Sequence, residues 1–247
     1  MTHPKLGKLP KREDPRTLQL ARYLDLAAMP IIPNSADWAE WVAKFGMFRN
    51  DAIGDCTCAA HAHGIQSRTA NARGKAETAT VADVSVVSMY SAISGYDPRN
   101  PDTDRGAYCL DALKYMRSTG LEGHKIEAFA EIHPSHRAMV RAAIWLFGGC
   151  YIGATLHESV WDSPVWDAPE PGEAVAGGHA MWLCEDSASG LTVATWGGKQ
   201  PVTWDWLDEE CDEAYACLAR DWLDLEGRCP SGFDLEGLRE DLKLVTA

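Results

Sequence analysis

Helical and extended patterns are segregated along this 247-residue chain, and that order limits the fold it can adopt. Cys56 to about Ala72 is an alanine-rich helix, with Asp55 placed as its N-cap. Ser85 to Ser94 reads as a second helix, although its valines also permit a strand. In Leu110 to Thr119, Leu110, Leu113, Tyr115 and Met116 recur at helical spacing, and Gly120 suits the C-cap. After about residue 124 the character changes. Lys125 to Ile132 alternates as a strand does, His136 to Phe147 is a helix ending at Gly148-Gly149, and Cys150 to Leu156 is a strand. Ala180 to Glu185 and Leu191 to Thr195 form a hairpin pattern with its turn at Ser187–Gly190. Pro201 to Leu207 suggests a further strand, and Leu235 to Leu244 a late helix. Helices first and strands afterwards predict an α+β fold, a helical N-terminal half packed on a C-terminal antiparallel sheet or barrel.

Three segments follow from this pattern. Residues 1–34 form an irregular arm with a basic start at Lys5, Lys8, Lys11 and Arg12. It carries a short helix over Thr17 to Leu26, and Pro30 and Pro33 end regular structure. The arm is expected to lie on the domain or to contact a partner. Residues 35–219 form the domain, with a helical lobe over about 35–123 and a β-rich lobe over about 124–219. Residues 220–247 are a C-terminal extension.

Composition removes several classes of function. Lys plus Arg number 23 against 36 Asp plus Glu, a net charge of −13, so the surface repels phosphate backbones and nucleic acid is not an expected partner. The longest apolar stretch, Ala142 to Phe147, falls far short of the ~20 residues of a membrane span. The basic, proline-bearing start does not read as a secretory signal. Eight cysteines at this length are too sparse for a disulfide scaffold, and they read as reduced thiols. The expected location is therefore the cytoplasm or a particle assembled there.

Chemistry concentrates at Asn50 to Cys56. A helix N-terminus stabilises a thiolate, and its backbone N–H groups can hold a developing oxyanion. Asn50, six residues upstream, is placed to add a side-chain amide. Gly178-His179-Ala180, at the start of a predicted strand, supplies a base. Cys56, Cys58, His61 and His63 do not make a zinc site: at ~100° per residue, Cys58 and His61 point away from the face shared by Cys56 and His63. Asn100 to Gly106 lacks the closing Glu of a calcium loop and reads as a solvated turn. The acidic run Asp205 to Glu213 reads as a solvated face or loop. No metal or cofactor is implied.

These pieces together resemble the papain-like cysteine peptidase family over most of residues 35 to 208. Asp37-Trp38 resembles the Asp-Trp near the start of such enzymes. Asn50 through Cys56 is similar to their Gln-Gly-x-Cys-Gly-Ser-Cys stretch, Gly106 to Gly120 to their Gly-Gly segment and following helix, and Met139 to Ala154 to the helix and strand before the histidine. Gly178-His179-Ala180 matches x-His-Ala, and Trp196-Gly197 matches the end of Asn-Ser-Trp-Gly. The arrangement is also similar to papain-like proteins encoded by bacteriophages and actinobacteria. The resemblance implies Cys56 as nucleophile, His179 as base and Asn50 as the oxyanion residue. This sequence departs from the pattern in several places. The triad Asn falls on Ala194, leaving Thr195 as a substitute orienter. Thr57 replaces the Trp after the nucleophile, Asn50 is one methylene shorter than Gln, and Ile53 replaces a disulfide cysteine. The arm shows no recognisable inhibitory pro-segment. Two functions are therefore expected: a hydrolase cleaving a peptide, isopeptide or related amide bond, or a catalytically inactive papain-like module. The module would bind a protein partner in an assembly, for example in a phage particle.

Overall fold

The computed structural model describes residues 3–24, 26–27, 31–72, 78–223 and 229–231. In chain order the elements are β1 (Leu18–Gln19), β2 (Ala36–Asp37), α1 (Cys56–Ala72), α2 (Asp83–Ser94), α3 (Cys109–Ser118), β3 (Ile126–Ile132), α4 (Arg137–Phe147), β4 (Cys150–His157), β5 (Val175–Ser187), β6 (Gly190–Thr195), β7 (Gly198–Val202), α5 (Trp204–Glu210) and β8 (Cys211–Ala219). The strands form one sheet in the order β1-β3-β8-β4-β5-β6-β7, with β2 alongside β5. All pairings between named strands are antiparallel except β1 with β3. This is the expected α+β arrangement.

The sheet separates two apolar cores. One lies between its inner face and helices α1, α2 and α3, and includes Ala59, Ile65, Met89, Leu113, Tyr151 and Trp182. The other lies on the opposite face under α4 and α5, and includes Val140, Leu146, Ile152, Leu183 and Trp206. Helix α1 is buried along nearly its whole length. Small residues allow this: a Cβ on Gly64 would stand 2.9 Å from the Trp182 ring of β5. A helix enclosed on every side needs no apolar stripe, so α1 reads as a run of alanines rather than as an amphipathic pattern.

Leu146 on α4 is fully buried against the sheet. Leu146→Ala is expected to cost about 2–5 kcal/mol through lost burial and a residual cavity. The check is a lower urea midpoint with an unchanged m-value.

Three readings are corrected. Thr17 to Leu26 is not a helix: Leu18–Gln19 pairs with β3, and only a 3₁₀ turn, Leu20–Arg22, follows. Pro201 to Leu207 is not one strand. β7 ends at Val202, and Thr203 caps α5 by accepting a hydrogen bond on Oγ1 from the Trp206 N–H at 3.0 Å. The acidic run is not a solvated face. Part of it is α5, its end begins β8, and Glu210 and Glu213 are both buried. Leu235 to Leu244 lies outside the described residues. Among the described residues, no helix is long and apolar enough to cross a membrane.

Candidate active site

Cys56 is the first residue of α1 and is completely buried. The backbone N–H groups of Ala180 and Gly7 both approach its sulfur. Burial pushes the thiol up to about 12, with Asp55 beside it adding to the rise and nearby Lys8 opposing it.

Asp55 does not cap the helix with its side chain. Its backbone carbonyl accepts from the Cys58 and Ala59 N–H groups, but both carboxyl oxygens are buried without a hydrogen-bond partner among the described residues. Burial raises this carboxyl to about 8, with Asn50 acting in the opposite direction. The folded protein therefore holds a proton that the unfolded chain releases near its ordinary value of 3.8. That contribution is fully present below pH 4 and is lost as pH rises toward 8. Asp55→Asn is expected to flatten the fall in stability across this window. Relative to wild type it is worth about 1 kcal/mol or more at pH 8 than at pH 4, read by urea denaturation at both pH values.

His179 lies near the start of β5, where Gly178 and His179 pair with Thr155 and Ala154 of β4. Its Nε2 is hydrogen-bonded to Thr195 Oγ1 at 2.7 Å. Its Nδ1 is buried without a partner among the described residues. Trp196 stacks on the ring with centroids 4.3 Å apart. Burial first, and His63 second, press the imidazole down to about 3. The strand pattern explains why Thr195 and not Ala194 reaches it. Ala194 pairs with Trp182 and shares the core beneath α1, whereas Val193 belongs to the opposite core. Alternation along β6 gives Thr195 the face that Ala194 lacks.

Asn50 follows two non-glycine residues in the left-handed region, Phe48 at φ 57° and Arg49 at φ 68°. Such residues persist where surrounding contacts over-determine them, as at clefts and ligand clamps. Asn50 is buried, and its Nδ2 donor has no acceptor among the described residues.

The N-terminal arm runs through the cleft between Gly178 of β5 and Ala107 before α3. Gly7 and Lys8 donate N–H bonds to the Gly178 carbonyl at 3.1 and 2.9 Å. Ala107 donates to the Gly7 carbonyl at 2.9 Å, and Leu9 donates to the Ala107 carbonyl at 3.0 Å. Lys8 and Ala107 pair in parallel. A Cβ on Gly7 would stand 2.0 Å from the Gly54 carbonyl oxygen, so only glycine passes at this point. Lys5 Nζ meets Asp104 Oδ2 at 2.6 Å, and Asp104 Oδ1 accepts from Tyr90 Oη at 2.6 Å. The loop read as a solvated turn thus holds the arm. Nothing in the arm's sequence shows this contact, because it depends on which backbone the arm meets.

Cys58, His61 and His63 do not join Cys56 in a ligand cluster. His63 Nε2 is 2.8 Å from the Gly46 carbonyl, and His61 stacks on Tyr151 with centroids 4.2 Å apart.

This fold is that of the papain-like cysteine proteases. The chain is similar to xylellain, a cysteine protease from Xylella fastidiosa, at 15% identity and a TM-score of 0.68, covering 87% of this chain and 96% of that one. It is also similar to procathepsin B S9 from Trypanosoma congolense, at 11% identity and a TM-score of 0.59, covering 87% and 86%. Bromelain from Ananas comosus matches at 13% identity and a TM-score of 0.54, covering 76% and 99%. No protein-family model and no curated protein sequence matches the chain.

Proposed function

We propose that the chain is a papain-like cysteine hydrolase, acting on a peptide, isopeptide or related amide bond, held latent by its own arm. The observation that carries this reading is His179, held at Nε2 by Thr195 and left free at Nδ1, one residue before the Ala180 N–H that approaches the Cys56 sulfur.

In this mechanism Nε2–H donates to Thr195 Oγ1, which leaves the Nδ1 lone pair as the base. Nδ1 takes the thiol proton, and the thiolate sulfur attacks the carbonyl carbon. The carbonyl oxygen becomes an oxyanion held by the Cys56 N–H and Asn50 Nδ2. The C–N bond breaks as His179 returns the proton to the leaving nitrogen, giving an amine and a thioester. Water, deprotonated by His179, attacks the thioester and releases the acid and the thiol.

With the arm seated, burial favours neutral thiol and neutral imidazole, which is a resting state. Displacing the arm admits water and removes much of that desolvation. The test is iodoacetamide alkylation across a pH series, with the labelled cysteine mapped by peptide mass spectrometry. A hydrolase shows a Cys56 rate that titrates well below the free-thiol value of about 8.5 once the arm is displaced.

A second reading, a non-catalytic partner-binding module, is favoured by one feature: the cleft is filled by the chain itself, with Cys56 and His179 at zero exposure. For that reading, Cys56 stays inert after arm displacement or titrates as an ordinary thiol.

A further inference from the structure

A buried carboxylate ties two parts of the cleft wall together. Asp104 follows the 3₁₀ turn Pro101–Thr103, and its side chain is 2% exposed. The Gly54 N–H donates to its Oδ1 and Oδ2 at 3.2 and 3.1 Å, and Tyr90 Oη of α2 donates to Oδ1 at 2.6 Å. The same Tyr90 oxygen accepts from the Gly106 N–H at 2.9 Å. One joined part is the turn from Asn50 to Asp55 that leads into Cys56. The other is Gly106-Ala107, where Ala107 pairs with the arm. The loop that carries the carboxylate is itself pinned. The Asp104 N–H donates to the Pro101 carbonyl at 3.0 Å, and Thr103 Oγ1 accepts from the Asp97 N–H at 2.8 Å. All eight cysteines are free, so no disulfide braces the turn. Burial acts to raise the Asp104 carboxyl, but Lys5, Tyr90 and the Gly54 N–H together hold it below its ordinary value. Burial raises Asp55, the residue after Gly54, and the Asp104 charge adds to that rise. Near pH 7 one carboxyl is therefore ionised and its neighbour neutral.

Resting on the hydrolase reading above, we propose that Asp104 is a positioning residue for the oxyanion site, acting through Gly54 and supported by Tyr90. The two oxyanion donors of that reading, the Cys56 N–H and Asn50 Nδ2, flank the turn whose Gly54 N–H the carboxylate holds. Asp55 does not brace the turn, because its carboxyl has no hydrogen-bond partner among the described residues. Losing one oxyanion donor costs about 10²- to 10³-fold in rate, and misplacing a reacting group by about 1 Å costs about 10²-fold. Alkylation of the thiolate is different: displacement of a halide forms no oxyanion, so it does not use these donors. The carboxylate is therefore expected to matter for acyl transfer and not for alkylation. Lys5 of the arm meets Oδ2 alone, so the Tyr90 bond and the Gly54 bond to Oδ1 do not depend on it.

The test uses full-length Gly7→Val protein and two small probes, p-nitrophenyl acetate and iodoacetamide. With the ester, the Cys56 sulfur attacks the acetyl carbon and the carbonyl oxygen becomes the oxyanion. Collapse expels p-nitrophenolate and leaves an acetyl thioester, mapped to Cys56 after acid quench. The quantity read is the rate of acetylation divided by the rate of alkylation. Arm opening and general loosening speed both reactions and cancel in this ratio. Asp104→Ala is expected to lower the ratio by roughly 10- to 100-fold. Asp104→Asn is expected to restore most of it, because Oδ1 alone can accept from both Tyr90 Oη and the Gly54 N–H. Tyr90→Phe is a milder variant, with a loss of about 3- to 10-fold. Joining it to Asp104→Ala is expected to add less than about twofold, since both break one network. Lys5→Met, which removes only the arm's contact, is expected to change the ratio by less than about twofold. If the ratio survives Asp104→Ala and Tyr90→Phe, or if Asp104→Asn is as damaging as Asp104→Ala, the positioning role is wrong and the hydrolase reading stands. If the Gly7→Val protein itself shows a ratio no higher than free cysteine, there is no oxyanion site. The hydrolase reading then fails, and the role of Asp104 with it.

Discussion

Gly7→Val is expected to raise the rate of iodoacetamide alkylation at Cys56 by roughly 5- to 140-fold. Gly7 passes so close to the Gly54 carbonyl that a side chain has no room. Overpacking of this kind costs about 1–3 kcal/mol. At about 1.4 kcal/mol per decade, that cost converts into the expected range of open-state population. The strain falls on the closed state alone, because a displaced arm does not contact Gly54. The other arm contacts remain: Lys5 with Asp104, Lys11 with Glu131, and Arg12 with Asp111 and the Tyr108 ring. The variant is therefore an arm that lifts locally rather than a detached one. All eight cysteines are buried, so a gain confined to Cys56 is readable by peptide mapping. A gain spread over all eight would mean global loosening. No gain at Cys56 would mean that something other than the arm keeps the thiol from reagent.

The same contacts show where sequence is a poor guide. The α3 and α4 patterns are legible because each rests on helical spacing and a glycine stop, β3 and β5–β6 because they alternate, with Gly190 at the hairpin turn, and α1 because its alanine run follows Asp55. β8 is not, because Cys211-Asp-Glu-Ala-Tyr-Ala-Cys-Leu-Ala carries no β-branched residue and has two acids near its start. It forms because β3 and β4 flank it on both sides. Glu213 reads as a surface charge until Lys8, some two hundred residues away, is seen to pair with it. Thr195 was legible as a neighbour of the missing Asn position. The face it occupies depends on the register of β6 against β5, which motif alignment does not contain. Asp55 was legible as a cap by residue type, but its buried carboxyl accepts no hydrogen bond from the helix among the described residues.

In the arm-displaced Gly7→Val protein, His179→Ala is expected to cut peptide hydrolysis by about 10⁶-fold, the scale for removing the nucleophile or the base of such a unit. The alkylation profile provides a second, independent reading. With His179 present, the imidazolium formed on proton transfer stabilises the thiolate, and the Cys56 rate titrates well below 8.5. With alanine there, the rate moves to or above that value, because the helix N-terminus alone opposes burial. Thr195→Val separates positioning from base chemistry. Valine keeps the shape but removes the Oγ1 partner of Nε2, and one neutral hydrogen bond contributes about 1–1.5 kcal/mol. The expected loss in kcat is therefore about 5- to 10-fold, with KM little changed, and Thr195→Ser should recover most of it because the hydroxyl returns. A loss with Thr195→Val as large as with His179→Ala would mean that the imidazole cannot act at all without this bond, making the hydroxyl a full third member of the unit. A His179→Ala protein whose alkylation profile matches that of its parent would mean that no thiolate–imidazolium pair forms. The papain-like fold would then serve binding, with Ala194 at the position of the triad Asn and the filled cleft as features of a binding module rather than of a latent enzyme.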